Sequence, residues 1–154
     1  MIDRFEQFYA AVSGIYHSIQ KIERTEMAKY GLKGPHAQCL LAMARHPEGI
    51  TAARLCQICE KDKAAVSRTL GELENAGMVI CKDAAGKRYR SMLVLTDSGM
   101  EIASNVKDLV HLAVSRASEG YGPEQRQTFI SVLGMIAGNL QSLSEGGIMT
   151  IKEG

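Results

Sequence analysis

No stretch of 18 consecutive apolar residues occurs, so no segment has the make-up of a membrane-spanning helix. The opening MIDRFEQF lacks the basic-then-apolar order of a signal peptide, and the expected location is cytoplasmic. Four cysteines among eight methionines do not suggest a secreted disulfide scaffold, and they are read as reduced thiols. Charge is nearly balanced, at +1, and by itself does not mark a nucleic-acid binder. Missing as well are a Ser/His/Asp order, a phosphate-cradling glycine loop and a paired metal motif, and no enzyme is expected. What is present is a chain long enough for one domain, with 45% hydrophobic residues to fill a core.

The most informative stretch is Thr51 to Val79, TAARLCQICEKDKAAVSRTLGELENAGMV. It has the pattern of two helices joined by a short turn. In the second helix Val66, Leu70 and Leu73 share one apolar stripe, while Lys63, Ser67 and Arg68 project elsewhere beside the small Ala64 and Ala65. Such a helix can pack on one flank and enter a DNA major groove with the other. Asp62 is placed to cap its first turn, and Gly77 to end it in a left-handed conformation. Two strands follow, Met78 to Cys81 and Ser91 to Leu95, around the polar loop DAAGKRYR. From Lys61 to Arg90 seven cations stand against four anions, a local excess that a dimer would double.

Upstream, Phe5, Phe8, Val12, Ile15, Ile19 and Ile22 recur at helical spacing between Asp3 and Tyr30. A helix of about 25 residues spans close to 40 Å, more than one small domain needs to cover. A second helix is expected over Pro35 to Arg45, then a turn at His46–Gly49, and Ile50 pairing as a single strand residue beside the wing. Thr51 caps the third helix, and Thr96 caps a long one running from Asp97 to about Glu119. The last helix opens at Pro123, and the glycine-bearing tail from Glu145 is expected to be loose. The fold class is thus mainly α with a small β-wing, in the order α-α-α-α-β-β-α-α. The terminal helices carry more apolar surface than one winged lobe can bury. At about 1.5–3 kcal/mol for each buried side chain, two chains clasped through those helices are favoured.

Helix, turn, helix and basic hairpin in this order resemble the MarR family (multiple antibiotic resistance regulators). The residues that carry the resemblance are Leu55, VSRTLGELENAGMV at 66–79 and LTDSG at 95–99. It implies one domain over 1–154, with a winged helix-turn-helix lobe at 35–96 and dimerisation helices at 1–30 and 97–144. It also implies a cytoplasmic homodimer that regulates transcription by reading a pseudo-palindromic operator in double-stranded DNA, with release by a small-molecule effector. On that resemblance the DNA contacts are Lys63, Ala64, Ala65, Ser67, Arg68 and Thr69, with Thr51 and Ala52 offering amides to a phosphate. Arg68 is the foremost candidate, because its fork can bind guanine O6 and N7 together. The wing adds Lys82, Lys87, Arg88 and Arg90. Here the chain departs from the family's Asp-x-Arg, for those positions hold Lys87 and Tyr89.

Tyr16, His17, Ile19, His36 and Met43 combine apolar walls with polar handles and are the candidate effector pocket. Cys56 and Cys59 have the spacing of a metal half-site without a second half, and are read first as core residues. Thiol redox chemistry at Cys81, Cys56 or Cys59 gives an alternative, redox-responsive regulator, whereas Cys39 is expected to be buried. The histidines at 17, 36, 46 and 111 are dispersed, and position 115, where a zinc-binding relative pairs a second histidine, is serine. No cofactor or metal is expected. A second function class stays open: a helical effector- or partner-binding protein with a degenerate wing and no operator.

Overall fold

The computed structural model describes residues 4–82 and 91–146. Its elements are α1 (Arg4–Ala28), α2 (Gly34–Ala44), α3 (Ala52–Cys59), α4 (Lys63–Asn75), β1 (Val79–Cys81), β2 (Leu93–Leu95), α5 (Asp97–Ala117) and α6 (Pro123–Gly146). The described residues form two compact units, divided between Ala113 and Val114.

In the first unit the core gathers one face from each of several helices. Met27 from α1, Leu40 and Met43 from α2, Leu55 from α3, and Val66 and Leu73 from α4 are all almost wholly buried. Val79 and Leu93 from the strands, and Ile102 and Val106 from α5, complete the same cluster. The ends of the helices follow local chemistry. Thr51 Oγ1 accepts from the Arg54 amide at 3.2 Å, and Asp62 Oδ1 from the Ala65 amide at 2.8 Å, so each supplies an acceptor to an amide without a helical partner. Gly77, at φ +71°, turns the chain out of α4.

β1 and β2 are antiparallel, with Val79 opposite Leu95 and Cys81 opposite Leu93. Ile50 adds a one-residue third strand, exchanging two bonds with Leu93 at 3.0 and 2.9 Å. The strands are shorter than the apolar pattern predicts. Met78 lies between α4 and β1, its amide donating back to Leu73 O at 2.9 Å and its carbonyl accepting from the Thr96 amide at 3.0 Å. Thr96 ties β2 to α5: its hydroxyl donates to Gly77 O at 2.7 Å and accepts from the Gly99 amide at 3.2 Å.

α1 leaves this core early. Only Glu26 and Met27 are buried on it, whereas Phe5, Tyr9, Ile15 and Tyr16 are each more than half exposed. In the second unit α6 has no buried residue, and Phe129, Ile130, Met135 and Leu140 are likewise more than half exposed. The helix continues to Gly146, one residue past the point where the glycine-bearing tail was expected to loosen.

Candidate nucleic-acid interface

α4 is a helix of two halves. Val66, Leu70 and Leu73 face the core, as their spacing predicts, and Lys63, Ala64, Ser67 and Arg68 are exposed on the other side. Ala65 and Thr69 lie half-buried along one flank. Thr69 Oγ1 donates to Ala65 O at 3.0 Å, which turns its hydroxyl hydrogen back onto the helix. The outward ridge therefore offers two cations and a serine hydroxyl on a rigid rod, with only a methyl group at Ala64 to limit close approach.

Two cavities flank that ridge. One, of about 240 Å³, has Lys63 and Ser67 on its α4 side, Ala52 and Cys56 on its α3 side, and Leu93 of β2. The other, of about 290 Å³, is bordered by Arg68, Ala65 and Glu72 of α4, by Cys59 and Lys61, by Lys33 and His36 at the start of α2, and by Cys39 in its middle. Three cations, Lys33, Lys61 and Arg68, thus border one hollow beside the exposed face.

His36 fixes the second hollow. It is 3% exposed, and both ring nitrogens are engaged. The Lys33 amide donates to Nδ1 at 2.8 Å, so the ring hydrogen is on Nε2, which donates to Glu72 Oε2 at 2.6 Å. One side chain satisfies the start of α2 and ties it to the middle of α4. This role was not visible in the sequence, where the two partners lie 36 residues apart.

The remaining candidates are dispersed. Thr51 is half-buried and spends its side-chain acceptor on the α3 cap. Lys82 is exposed, with Nζ donating to Glu48 O at 3.1 Å across the base of the wing. Lys87, Arg88 and Arg90 lie outside the described residues. Of the five effector-pocket candidates, His36 borders the larger cavity. Met43 is buried in the core, Ile19 is half-buried, and Tyr16 and His17 are exposed on α1, with His17 Nδ1 2.7 Å from Ser13 O. The five do not line either of the two cavities together. Cys56, Cys59 and Cys81 are half-buried and Cys39 is buried. Among the described residues no helix is long and apolar enough to cross a membrane, and no cluster of three metal-ligating side chains occurs.

Residues 30–88, which contain α2, α3, α4 and β1, match the sequence model of the MarR family. Over that stretch the chain is similar to the MarR family. No curated protein matches the chain. Solved MarR structures extend the likeness beyond the lobe. A crystal structure of MarR is similar at a TM-score of 0.77 and 22% identity, over 96% of this chain and 99% of its own. A MarR transcriptional regulator from Methanosarcina mazei Go1 gives 0.77 at 20% identity, covering 90% and 99%. The Staphylococcus aureus MarR crystallised with salicylate and kanamycin gives 0.74 at 20%, covering 89% and 92%. At these identities the agreement is one of fold. The mostly helical chain with its small antiparallel sheet has the winged-helix fold of MarR-family transcriptional regulators.

Proposed function

We propose that the protein is a cytoplasmic transcriptional regulator that binds double-stranded DNA as a homodimer, α4 of each copy entering a major groove of a pseudo-palindromic operator. The observation that carries this reading is the outward ridge of α4. Lys63, Ala64, Ser67 and Arg68 are exposed on a helix whose opposite side is locked into the core, within the stretch that matches the MarR model. A reading helix needs such a division, because base contacts demand that its position be fixed to a fraction of a side chain. Arg68 is assigned to a base edge, Lys63 and Ser67 to the backbone, and the Thr51 and Ala52 amides to a phosphate. Lys82 and the cations at 87, 88 and 90 supply the wing's phosphate contacts.

Dimerisation is supported by the apolar side chains that α1 and α6 each leave in solvent. Their burial in a second copy would contribute several kcal/mol at about 25 cal/mol per Å². Regulation by a small molecule belongs to the same reading, and a relative was crystallised with salicylate and kanamycin. A molecule seated in either hollow beside α4 would bias the position of the ridge, and DNA would be released by a shift of population.

Titration of DNA from upstream of the protein's own gene, at several salt concentrations, tests the reading. Specific binding that weakens steeply with salt is the expected result. An absence of specific binding at low salt would leave a partner- or effector-binding protein with a degenerate wing.

A further inference from the structure

An α-helix with its side chains is about 10–12 Å across, and the major groove of DNA is about 12 Å wide. A helix seated there has a wall of backbone phosphates along each side. On one flank of α4 stand Lys63 and Ser67, with Ala52 of α3 across the 240 Å³ hollow. On the opposite flank Arg68 borders the 290 Å³ hollow, which Lys33 and Lys61 also border. Both lysines are exposed, and they come from different elements. Lys33 precedes α2 as its cap residue, and Lys61 lies in the turn between α3 and α4. The backbone of each is held at a helix boundary: the Lys33 amide donates to His36 Nδ1 at 2.8 Å, and the Lys61 amide to Cys56 O at 3.1 Å.

Charge around this hollow is lopsided. Among the described residues the ion pairs are Lys29–Glu26, His36–Glu72 and His46–Glu48, so no carboxylate neutralises Lys33, Lys61 or Arg68. Glu72 also borders the hollow, but its Oε2 accepts from His36 Nε2–H at 2.6 Å. Asp62, next to Lys61 in sequence, gives Oδ1 to the Ala65 amide at 2.8 Å and does not border the hollow. Cations gathered without a counter-charge raise the local potential and are stabilised by an anion.

We propose that Lys33 and Lys61 bind backbone phosphates of the DNA strand on the far side of α4 from Lys63 and Ser67, so that both walls of the groove are held. This contact rests on the reading of α4 as the groove helix. The exposure of all three cations fits a polymer phosphate better than a free anion. A small anion gains affinity from donors withdrawn from water, whereas solvated lysines gain it by releasing counterions from a polyanion. Lysine acts as a point charge without angular demands, so the two set register and leave the choice of base to Arg68. His36 is the positioning residue, because it joins the first turn of α2, and Lys33 with it, to Glu72 of α4.

Titration of the full chain against duplex from upstream of its own gene, and against a random duplex of equal length, over a series of salt concentrations tests the contact. Lys33→Gln combined with Lys61→Gln removes four phosphate contacts from a two-chain complex. It should flatten the slope of log affinity against log salt by about 3–4, and each single variant by about 2, which decides if the pair does not fold. The ratio of operator to random affinity should stay within about twofold, since phosphates carry no sequence. Lys33→Arg with Lys61→Arg should keep the wild-type slope. Lys21→Gln with Lys107→Gln makes the same change of charge at exposed residues that border neither hollow, and should move the slope by less than about 1.

A flattening no larger than that of the Lys21 and Lys107 pair, or a changed operator preference, would overturn the proposal. So would saturable binding of inorganic phosphate to the DNA-free chain that the Lys33 and Lys61 glutamine pair loses, which would give the hollow to a free anion. A wild type that binds both duplexes alike would refute operator reading by α4, while slopes on the random duplex still decide the lysine contacts. One that binds neither duplex would refute both.

Discussion

A β-carbon at Gly99 would lie 2.2 Å from the carbonyl oxygen of Met78, well inside the 3.0 Å that real β-carbons respect. Neither atom is free to give way. Gly99 sits in the first turn of α5, with its amide bonded to Thr96 Oγ1 at 3.2 Å. The Met78 carbonyl accepts from the Thr96 amide, and the Thr96 hydroxyl holds Gly77 O. Gly99→Ala therefore forces α5 and the end of α4 apart by roughly 1 Å in a packed interior. Such overpacking costs about 1–3 kcal/mol, and stretching the Thr96 bond costs about 1 kcal/mol more. Against this, alanine is a better helix former than glycine by about 1 kcal/mol. The net expectation is a loss of about 2 kcal/mol, or about 4–8 °C in Tm for a chain of this size. Thermal melts at one fixed protein concentration measure it, since association makes Tm depend on concentration. Gly71→Ala is the control: it also lies within a helix, and an added carbon there meets nothing within 4 Å. It should stabilise by about 0.5–1 kcal/mol. A Gly99→Ala protein as stable as the wild type would refute the close approach of α5 to Met78.

Three further outcomes follow from particular contacts. His36→Ala deprives the Lys33 amide and the Glu72 carboxylate of their partner and should cost about 2 kcal/mol by urea unfolding. Glu72→Gln keeps an acceptor oxygen for Nε2–H and should cost under about 1 kcal/mol; equal losses in the two would mean that charge rather than the hydrogen bond holds the contact. Asp62→Ala removes the α4 cap and should lose about 0.5–2 kcal/mol, and unchanged stability would show that the cap contributes nothing. Phe129→Asp places a carboxylate on the exposed apolar face of α6. It should halve the sedimenting mass at micromolar protein, whereas an unaltered mass would remove that face from the dimer contact.

The division of α4 was legible because it rests on local rules. A 3.6-residue period puts Val66, Leu70 and Leu73 on one stripe, and short polar side chains at Thr51 and Asp62 announce helix starts. The single-residue pairing of Ile50 was legible too, since a lone β-branched residue precedes a cap. The first strand came out shorter because hydrophobicity does not mark where a ladder begins, and the Met78 amide turns back to Leu73 of α4. His36 drew attention as a pocket wall, but its role depends on Glu72, brought to it only by the packing of α2 on α4. The effector candidates, chosen for composition, are spread over α1, the core and one cavity.

The most direct test of the account is the affinity of Arg68→Ala for the operator bound by the wild type, with sedimentation run on the same samples. The account predicts weaker binding by about 1–3 kcal/mol, relaxed discrimination at one base pair of each half-site, and an unchanged two-chain mass. Wild-type affinity and specificity in a protein that still sediments as two chains would contradict it, because α4 would then not be the element that reads DNA.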